Sequence, residues 1–258
     1  MAPTFLFLII LSLTAVRPGA TDEKAELSEE DPSEIIAKAN EGISTKLVHG
    51  DIMPNLDRNA VPCTSRGCKW PKYGRYVYVP VYISTRYTRS ERSTIIRALL
   101  TFHSTTCIRF VWKRWWHRNY LYFYSGSGCW SSLGRQSRGQ LVSLRKNGCV
   151  YTGTVQHEVL HALGFHHEHV RSDRDSYVRI LTDNIQSGRE HNFRKVATNN
   201  LGTPYDFKSV MHYSKYAFSK NGKPTIVSRS NPSLYIGRNY AMSYNDIQRV
   251  KRLYQCCE

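Results

Sequence analysis

Three histidines and one glutamate near the middle of the chain have the types and spacing of a catalytic metal site. His157 and His161 are four residues apart, so in a helix both imidazoles project from one face and can bind the same ion. Gly164 can take the left-handed conformation that ends a helix, which lets the chain turn back and bring in His167 as a third ligand. Three protein ligands leave one coordination position open, which is typical of a catalytic rather than a structural zinc site.

Glu158 lies beside the first histidine and can reach a water bound to such an ion without ligating the metal. Zinc lowers the pKa of its bound water towards about 7, which makes that water a nucleophile at neutral pH. Glu158 is therefore predicted to act as general base and to pass the proton to a leaving amine. His166 and His169 flank the third ligand. Because they lack the six-residue offset of an extended zinc motif, we interpret both as surface residues.

Helices must position these side chains. Apolar residues at helical spacing predict a helix from about Thr154 to His166, and another that begins after a Ser90 cap. A further helix is predicted after Ser243, which forms a capping pair with Asp246. A short helix is also predicted over residues 33–40.

Strands are predicted where apolar and aromatic residues alternate. Pro80 falls within the first of them and indicates an edge strand or a bulge. The segment 168–242 is mostly irregular and polar. The predicted strands cover residues 76–83, 107–112, 120–124 and 140–144.

Composition and charge divide the 258 residues into three segments. Mean hydropathy of −0.47 excludes a polytopic membrane protein, and the apolar run from Phe5 to Val16 is shorter than the roughly 20 residues that span a bilayer. We interpret residues 1–20 as a signal peptide, which predicts secretion. Residues 1–58 hold ten acids and five bases, whereas 59–258 hold 31 bases and ten acids. A trypsin-like protease that cuts after Arg58 would separate an acidic propeptide, 21–58, from the basic body, 59–258.

Seven cysteines in a secreted chain indicate disulfides. Because seven is odd, at least one thiol stays free or pairs with another molecule. The cysteines are Cys63, Cys68, Cys107, Cys129, Cys149, Cys256 and Cys257.

The string from His157 to Asp175, HEVLHALGFHHEHVRSDRD, resembles the signature of the astacin family of metzincin proteases. Ser209-Val-Met-His-Tyr213 resembles the family's Met-turn. The resemblance implies that Met211 forms an apolar floor beneath the metal. It also implies that Tyr213 is a switchable zinc ligand that stabilises the transition state.

The resemblance implies an α+β fold, an astacin-like catalytic domain of two lobes. The amino-terminal lobe, through His167, would have a twisted mixed sheet and two long helices. The carboxy-terminal lobe would be mostly irregular with a terminal helix. The disulfides that the family pattern and its fish hatching enzymes imply are Cys107–Cys256, Cys129–Cys149 and Cys63–Cys68.

In the propeptide, Val48-His-Gly-Asp51 stands where family proenzymes carry a Phe-x-Gly-Asp motif. The resemblance implies that the Asp51 carboxylate ligates zinc and displaces the catalytic water. A turn aspartate after Gly50, or His49 as the ligand, are the alternatives. In the family, the glutamate after the third histidine, here Glu168, lies near the amine of the mature chain. Here that glutamate either pairs with Asn59 or makes buried hydrogen bonds.

The segment Trp112–Arg118, WKRWWHR, is unusually aromatic and basic. It is either a strand and an exposed turn or a patch that binds an egg envelope or a glycan.

The sequence therefore predicts a secreted, monomeric endopeptidase with one catalytic Zn²⁺, made as a latent proenzyme and stored in secretory granules. The resemblance points to a hatching enzyme that acts on egg-envelope glycoproteins, with no membrane or nucleic-acid partner. The alternatives are a digestive, venom or immune protease of the same fold, or a basic glycan-binding protein with a vestigial zinc site.

Overall fold

The structure is a computed structural model and describes residues 31–44, 46–54, 68–237 and 239–256. Several predictions lie outside these residues. They are the signal peptide 1–20, the cleavage site after Arg58, an ion pair of Asn59, the Cys63–Cys68 disulfide and the fate of Cys257.

A mixed sheet organises the amino-terminal part of the molecule. Within the described residues its seven strands are β1 (Ile52–Met53), β2 (Lys72–Tyr73), β3 (Tyr76–Ile83), β4 (Ile108–Trp112), β5 (Tyr120–Tyr124), β6 (Cys129–Ser132) and β7 (Gly139–Leu144). Their order is β1–β6–β7–β5–β3–β2, and β4 pairs with β3 off that path. The pairs β3–β4, β3–β5 and β5–β7 are parallel, whereas β6 and β7 are antiparallel.

β3 is an inner strand, so the prediction of an edge or a bulge at Pro80 is wrong. β4 pairs along one side of β3, while β2 pairs with its first two residues and β5 with its last three along the other side. The Val77 N–H points towards β4 and donates to the Cys107 carbonyl. Because backbone groups alternate along a strand, the Pro80 nitrogen faces the opposite side. It lies there between β2 and β5, where no neighbouring strand requires a donor.

The part of the chain that the structure describes contains four α-helices. The second begins one residue before the predicted cap: Thr88, not Ser90, accepts from the Glu91 N–H, because Glu91 completes a capping box with Thr88. The Ser243–Asp246 capping box is present as predicted. The helices are α1 (Pro32–Ala39), α2 (Arg89–Thr105), α3 (Thr152–Leu163) and α4 (Tyr244–Leu253). None of the described helices has the length and apolar character that crossing a membrane requires.

Two clusters of buried apolar residues define two lobes. The larger one fills the space between the sheet and helices α2 and α3, around fully buried residues such as Phe102 and Leu121. The smaller one lies among the irregular segments and the antiparallel pair of β8 (Val178–Ile180) and β9 (Ile226–Ser228). Helix α4 belongs to the larger cluster, because Val250 and Leu253 pack there. The terminal helix therefore stabilises the amino-terminal lobe.

Disulfides reinforce this arrangement. Cys107, just before β4, is bonded to Cys256, just after α4. Cys129 at the start of β6 is bonded to Cys149, which precedes α3. The first bond therefore ties the terminal helix to the sheet, and the second ties β6 to the segment that leads into the histidine helix.

Candidate metal centre

Helix α3 carries the first two histidines through the interior of the molecule. Every residue from Gly153 to Leu163 is buried, so this helix is shielded on all sides. It ends at Leu163, three residues before the predicted end, because Gly164 has a φ of 110° in the left-handed region. The Phe165 N–H then donates to the Leu160 carbonyl and closes the helix end. The reversed chain brings the next histidine back towards the helix.

Four potential ligand atoms converge at this point. The Nε2 atoms of His157 and His167 are 3.1 Å apart, as are those of His157 and His161. Asp51 Oδ2 lies 3.0 Å from the Nε2 atoms of His157 and His167, and Asp51 Oδ1 lies 3.4 Å from that of His161. All four ligand atoms lie within 4.8 Å of one another, and all four residues are buried.

The hydrogen bonds of the Nδ1 atoms of His157 and His161 show that the four ligand residues suit a cation. His157 Nδ1 lies 2.8 Å from the Val210 carbonyl and His161 Nδ1 lies 2.7 Å from the Phe165 carbonyl. Each Nδ1 must carry the proton to donate there, so each Nε2 presents a lone pair to the centre. Two lone pairs and a carboxylate at these separations repel one another unless a cation lies between them. Histidine and carboxylate ligands in a tetrahedral set suit zinc.

Asp51 is held by its backbone. Its carbonyl accepts from the Ser131 N–H, and the next residue pairs in parallel with the same strand, β6. The Asn40 side chain bridges the two segments, because its Nδ2 donates to the carbonyls of Gly50 and Cys129. Val48, which stands where the family motif has phenylalanine, is 42% exposed. Backbone pairing and Asn40, rather than an anchoring side chain at position 48, therefore hold Asp51 in place.

Glu158 lies fully buried beside this cluster. Neither carboxylate oxygen has a hydrogen-bond partner among the described residues. Burial, together with the nearby Asp51 carboxylate, raises the pKa of Glu158 well above its ordinary value. A buried, unpaired carboxyl beside a metal site is poised to exchange a proton with a small molecule that binds there.

The hydroxyl of Tyr213 donates to the His49 carbonyl, in the same segment as Asp51. On its other side Tyr213 stacks against His169, with ring centroids 3.8 Å apart and an interplanar angle of 23°. His169 is fully buried, so its prediction as a surface residue is wrong. It lies in a short 3₁₀ turn that directs the ring inwards, where Nε2 contacts the Asn192 carbonyl. His166 is half-buried.

The segment from Ser209 to Tyr213 packs against the histidines, since the Val210 carbonyl contacts His157 and the Tyr213 ring contacts His167. Met211 is buried, its carbonyl accepts from the Glu168 N–H, and the preceding carbonyl orients His157. Asp246 of α4 fixes this segment, because its carboxylate accepts from Ser209 Oγ at 2.6 Å and from the Val210 N–H at 3.0 Å. Sequence reasoning gave Asp246 only a capping role.

Glu168, directly after the third histidine, makes buried hydrogen bonds. Its Oε1 accepts from Arg249 Nη2 at 2.7 Å, from Arg171 Nη1 at 3.1 Å and from the Asp206 N–H at 2.7 Å. Sequence reasoning missed Arg249, one of three bases in α4. Its position three residues after Asp246, on the same helix face, is the one signal that distinguishes it from the other two.

The family model for astacin, which describes a family of peptidases, matches residues 65–255. High choriolytic enzyme 2 of Oryzias latipes is 44% identical over 223 residues, which cover 86% of this chain and 80% of that protein. Low choriolytic enzyme of the same fish is 42% identical over 263 residues, with 97% of each chain covered. The solved structure of high choriolytic enzyme 1, a hatching enzyme zinc-protease from Oryzias latipes, covers 77% of this chain and 100% of its own with a TM-score of 0.73 and 45% identity.

The fold and the histidine cluster thus define a zinc metalloendopeptidase. The chain belongs to the astacin family. Its zinc-binding group consists of His157, His161, His167 and Asp51.

Proposed function

We propose that this chain is the secreted, latent precursor of a hatching protease that digests egg-envelope proteins. The observation that carries the latency is the position of Asp51, whose carboxylate faces all three histidine nitrogens at 3.0–3.4 Å. The similarity to choriolytic enzymes over nearly the whole chain supports the substrate. The excess of basic residues in 59–258 supports adsorption to an acidic matrix.

In this proposal residues 21–58 are a propeptide that occupies the substrate's place. β6 pairs with β7 on one side and with β1 on the other, so removal of β1 would leave β6 as an edge strand. Its free N–H and C=O groups can pair with an extended peptide. The zinc ion supplies Lewis-acid activation of water and of the scissile carbonyl.

The residues of the chain carry the remaining steps. Glu158 accepts the proton of the attacking water and passes it to the amine that leaves. Departure of the propeptide frees the Tyr213 hydroxyl from the His49 carbonyl, and the hydroxyl then donates to the developing oxyanion. Met211 and Glu168 keep the third histidine and the floor of the site in place.

The test is proteolysis of isolated fish egg envelope by the activated enzyme. Glu158→Gln and a chelator-treated sample serve as controls, and casein serves as a general substrate. Envelope digestion that both controls abolish is the expected result. Casein cleavage without envelope cleavage would remove the hatching assignment in favour of a digestive, venom or immune role. Failure to cleave either substrate, with zinc bound and the fold intact, would favour the glycan-binding alternative.

Latency is tested separately with Asp51→Asn in the uncleaved precursor. Loss of a charge-assisted contact of about 1.5–3 kcal/mol should raise hydrolysis of a short peptide by roughly 10- to 100-fold before any cleavage of the chain. Glu41→Gln, an exposed acid in the same segment, is the matched control and should leave the precursor silent. A silent Asp51→Asn precursor that becomes active after proteolysis would contradict the latency role.

A further inference from the structure

The turn after β4 presents two tryptophans to solvent. The His117 N–H donates to the Arg114 carbonyl, and the Arg114 N–H donates to His117 Nδ1, each at 3.0 Å. Trp115 and Trp116 therefore occupy the two central positions of a closed turn, where small polar residues are usual. Trp115 is 87% exposed and Trp116 is 53% exposed. Exposed indoles on an ordered turn are a feature of binding surfaces.

Beside this turn lies a groove between α2 and β4 with a volume of about 560 Å³. That volume lies within the range of small-ligand sites, which is roughly 300–1,000 Å³. We call it the tryptophan groove. The residues of its lining that reach the surface are Leu100, Trp112, Arg114, Trp116 and His117. Leu100 and Trp112 are each about half exposed, so apolar surface from both the helix and the strand faces solvent there.

The charge around the tryptophan groove has one sign. Between Glu91 and Glu158 the chain contains no aspartate or glutamate. Lys113 and Arg114 form no ion pair with any described residue. The Arg114 guanidinium lies 5.6 Å from the Trp116 ring centroid, and Lys113 Nζ lies 4.9 Å from that of Tyr120. Arg114, which lines the groove, therefore remains available to an anion, whereas Lys113 lies over a ring of β5 outside the groove.

The tryptophan groove is separate from the zinc site. β6 borders the zinc site, whereas β4 lies at the far side of β3, after β7 and β5. Four interstrand spacings of about 4.8 Å place β4 roughly 19 Å from β6. A ligand in the groove therefore leaves the catalytic cleft open.

We propose that the tryptophan groove binds anionic carbohydrate, a sulfated or carboxylated glycan chain. The apolar C–H face of a pyranose ring can stack on an indole, and its acidic substituents can pair with Arg114, which lines the groove. A membrane surface fits less well, because a concave groove lined with a guanidinium and an imidazole does not insert into lipid. This inference deepens the proposed function, since such a site would hold the protease on a glycosylated matrix while it cuts.

The test is binding to the zinc-loaded full chain by titration calorimetry. The probes are a heparin-derived hexasaccharide, its desulfated counterpart, and vesicles of phosphatidylcholine and phosphatidylserine. We expect binding of the sulfated probe, weaker binding of the desulfated one, and no preference for the vesicles. Tighter binding to vesicles, or equal binding of both oligosaccharides, would overturn the proposal.

Variants locate the site. Arg114→Ser should weaken binding of the hexasaccharide about fivefold, and Trp115→Ala/Trp116→Ala should weaken it without a change in charge. The matched control is Lys220→Ser, which removes one exposed cation from the other lobe and should change affinity less than about twofold. Equal losses in the two charge variants would show a diffuse field instead of a site.

Hydrolysis of a short soluble peptide after activation, measured in the same variants, should be unchanged. If the activated wild type cleaves no peptide yet binds the hexasaccharide, the proposed protease function is contradicted and the proposal of glycan binding in the tryptophan groove is supported. If it cleaves peptide and binds no hexasaccharide, the groove proposal fails alone.

Discussion

His212 lies within the segment from Ser209 to Tyr213 beside the metal site, but both of its ring nitrogens bond to residues outside the zinc-binding group. Its Nδ1 donates to the Tyr213 carbonyl at 2.7 Å, and its Nε2 accepts from the Tyr205 hydroxyl at 2.8 Å. Burial lowers the pKa of His212 from 6.5 to about 4. The folded state thus holds this imidazole neutral where the unfolded chain would protonate it.

A pH dependence of stability follows at this residue. Between pH 6.5 and about 4 the unfolded state binds the extra proton, so stability falls as the pH falls through this window. Replacement of His212 by Gln, which is neutral at every pH, removes this contribution. The difference in unfolding free energy between wild type and His212→Gln should shrink by about 2 kcal/mol from pH 7.5 to pH 4.5. Urea titrations at both pH values measure this difference. A difference that is the same at pH 7.5 and pH 4.5 would contradict the assignment.

At the scale of one element, the end of α3 determines where the third ligand lies. Gly164 is left-handed at a φ of 110°, a region that costs other residues about 1–2 kcal/mol. Gly164→Ala should lose that much stability. It should also weaken zinc binding on the order of tenfold, because His167 follows the turn by three residues. Competition with a chromogenic chelator measures the affinity.

Gly188 offers the matched control for this substitution. It has a φ of 82°, and an added Cβ would meet nothing within 4 Å. Gly188→Ala should therefore show a similar backbone cost with no change in zinc affinity. If the two variants bind zinc equally well, the helix end does not position the third ligand.

The sequence predicts the local features of this protein better than the features that depend on residues far apart in the chain. His157 and His161 are one helical turn apart, and the capping box at Ser243 involves a residue only three positions away. Both features therefore depend on neighbouring residues and can be predicted from the sequence. Arg249 contacts Glu168 across 81 residues, and no local pattern specifies such a contact. The prediction that His169 lies at the surface is wrong for the same reason, because its burial depends on Tyr213 and Asn192, which are distant in sequence.

At the scale of the whole molecule, two disulfides close loops of very different length. Cys107–Cys256 spans 149 residues and Cys129–Cys149 spans 20. In the loop-entropy model the longer loop stabilises by about 5 kcal/mol and the shorter by about 3 kcal/mol. Cys107→Ala/Cys256→Ala should therefore cost about 2 kcal/mol more than Cys129→Ala/Cys149→Ala. Guanidinium unfolding of both variants tests this order, and an equal or reversed cost would show that strain or residual structure dominates.

The parallel pairing of β1 with β6 also has a consequence for biosynthesis. Asp51 and its strand precede the histidines by more than a hundred positions, so the ribosome makes them first. When α3 emerges, the segment that carries the fourth ligand is already available to fold against it. Under the proposed latency, each newly made molecule would acquire zinc with that carboxylate already in place. The cell that makes the protease would then never hold it with an open cleft, and a separate protein inhibitor would be unnecessary.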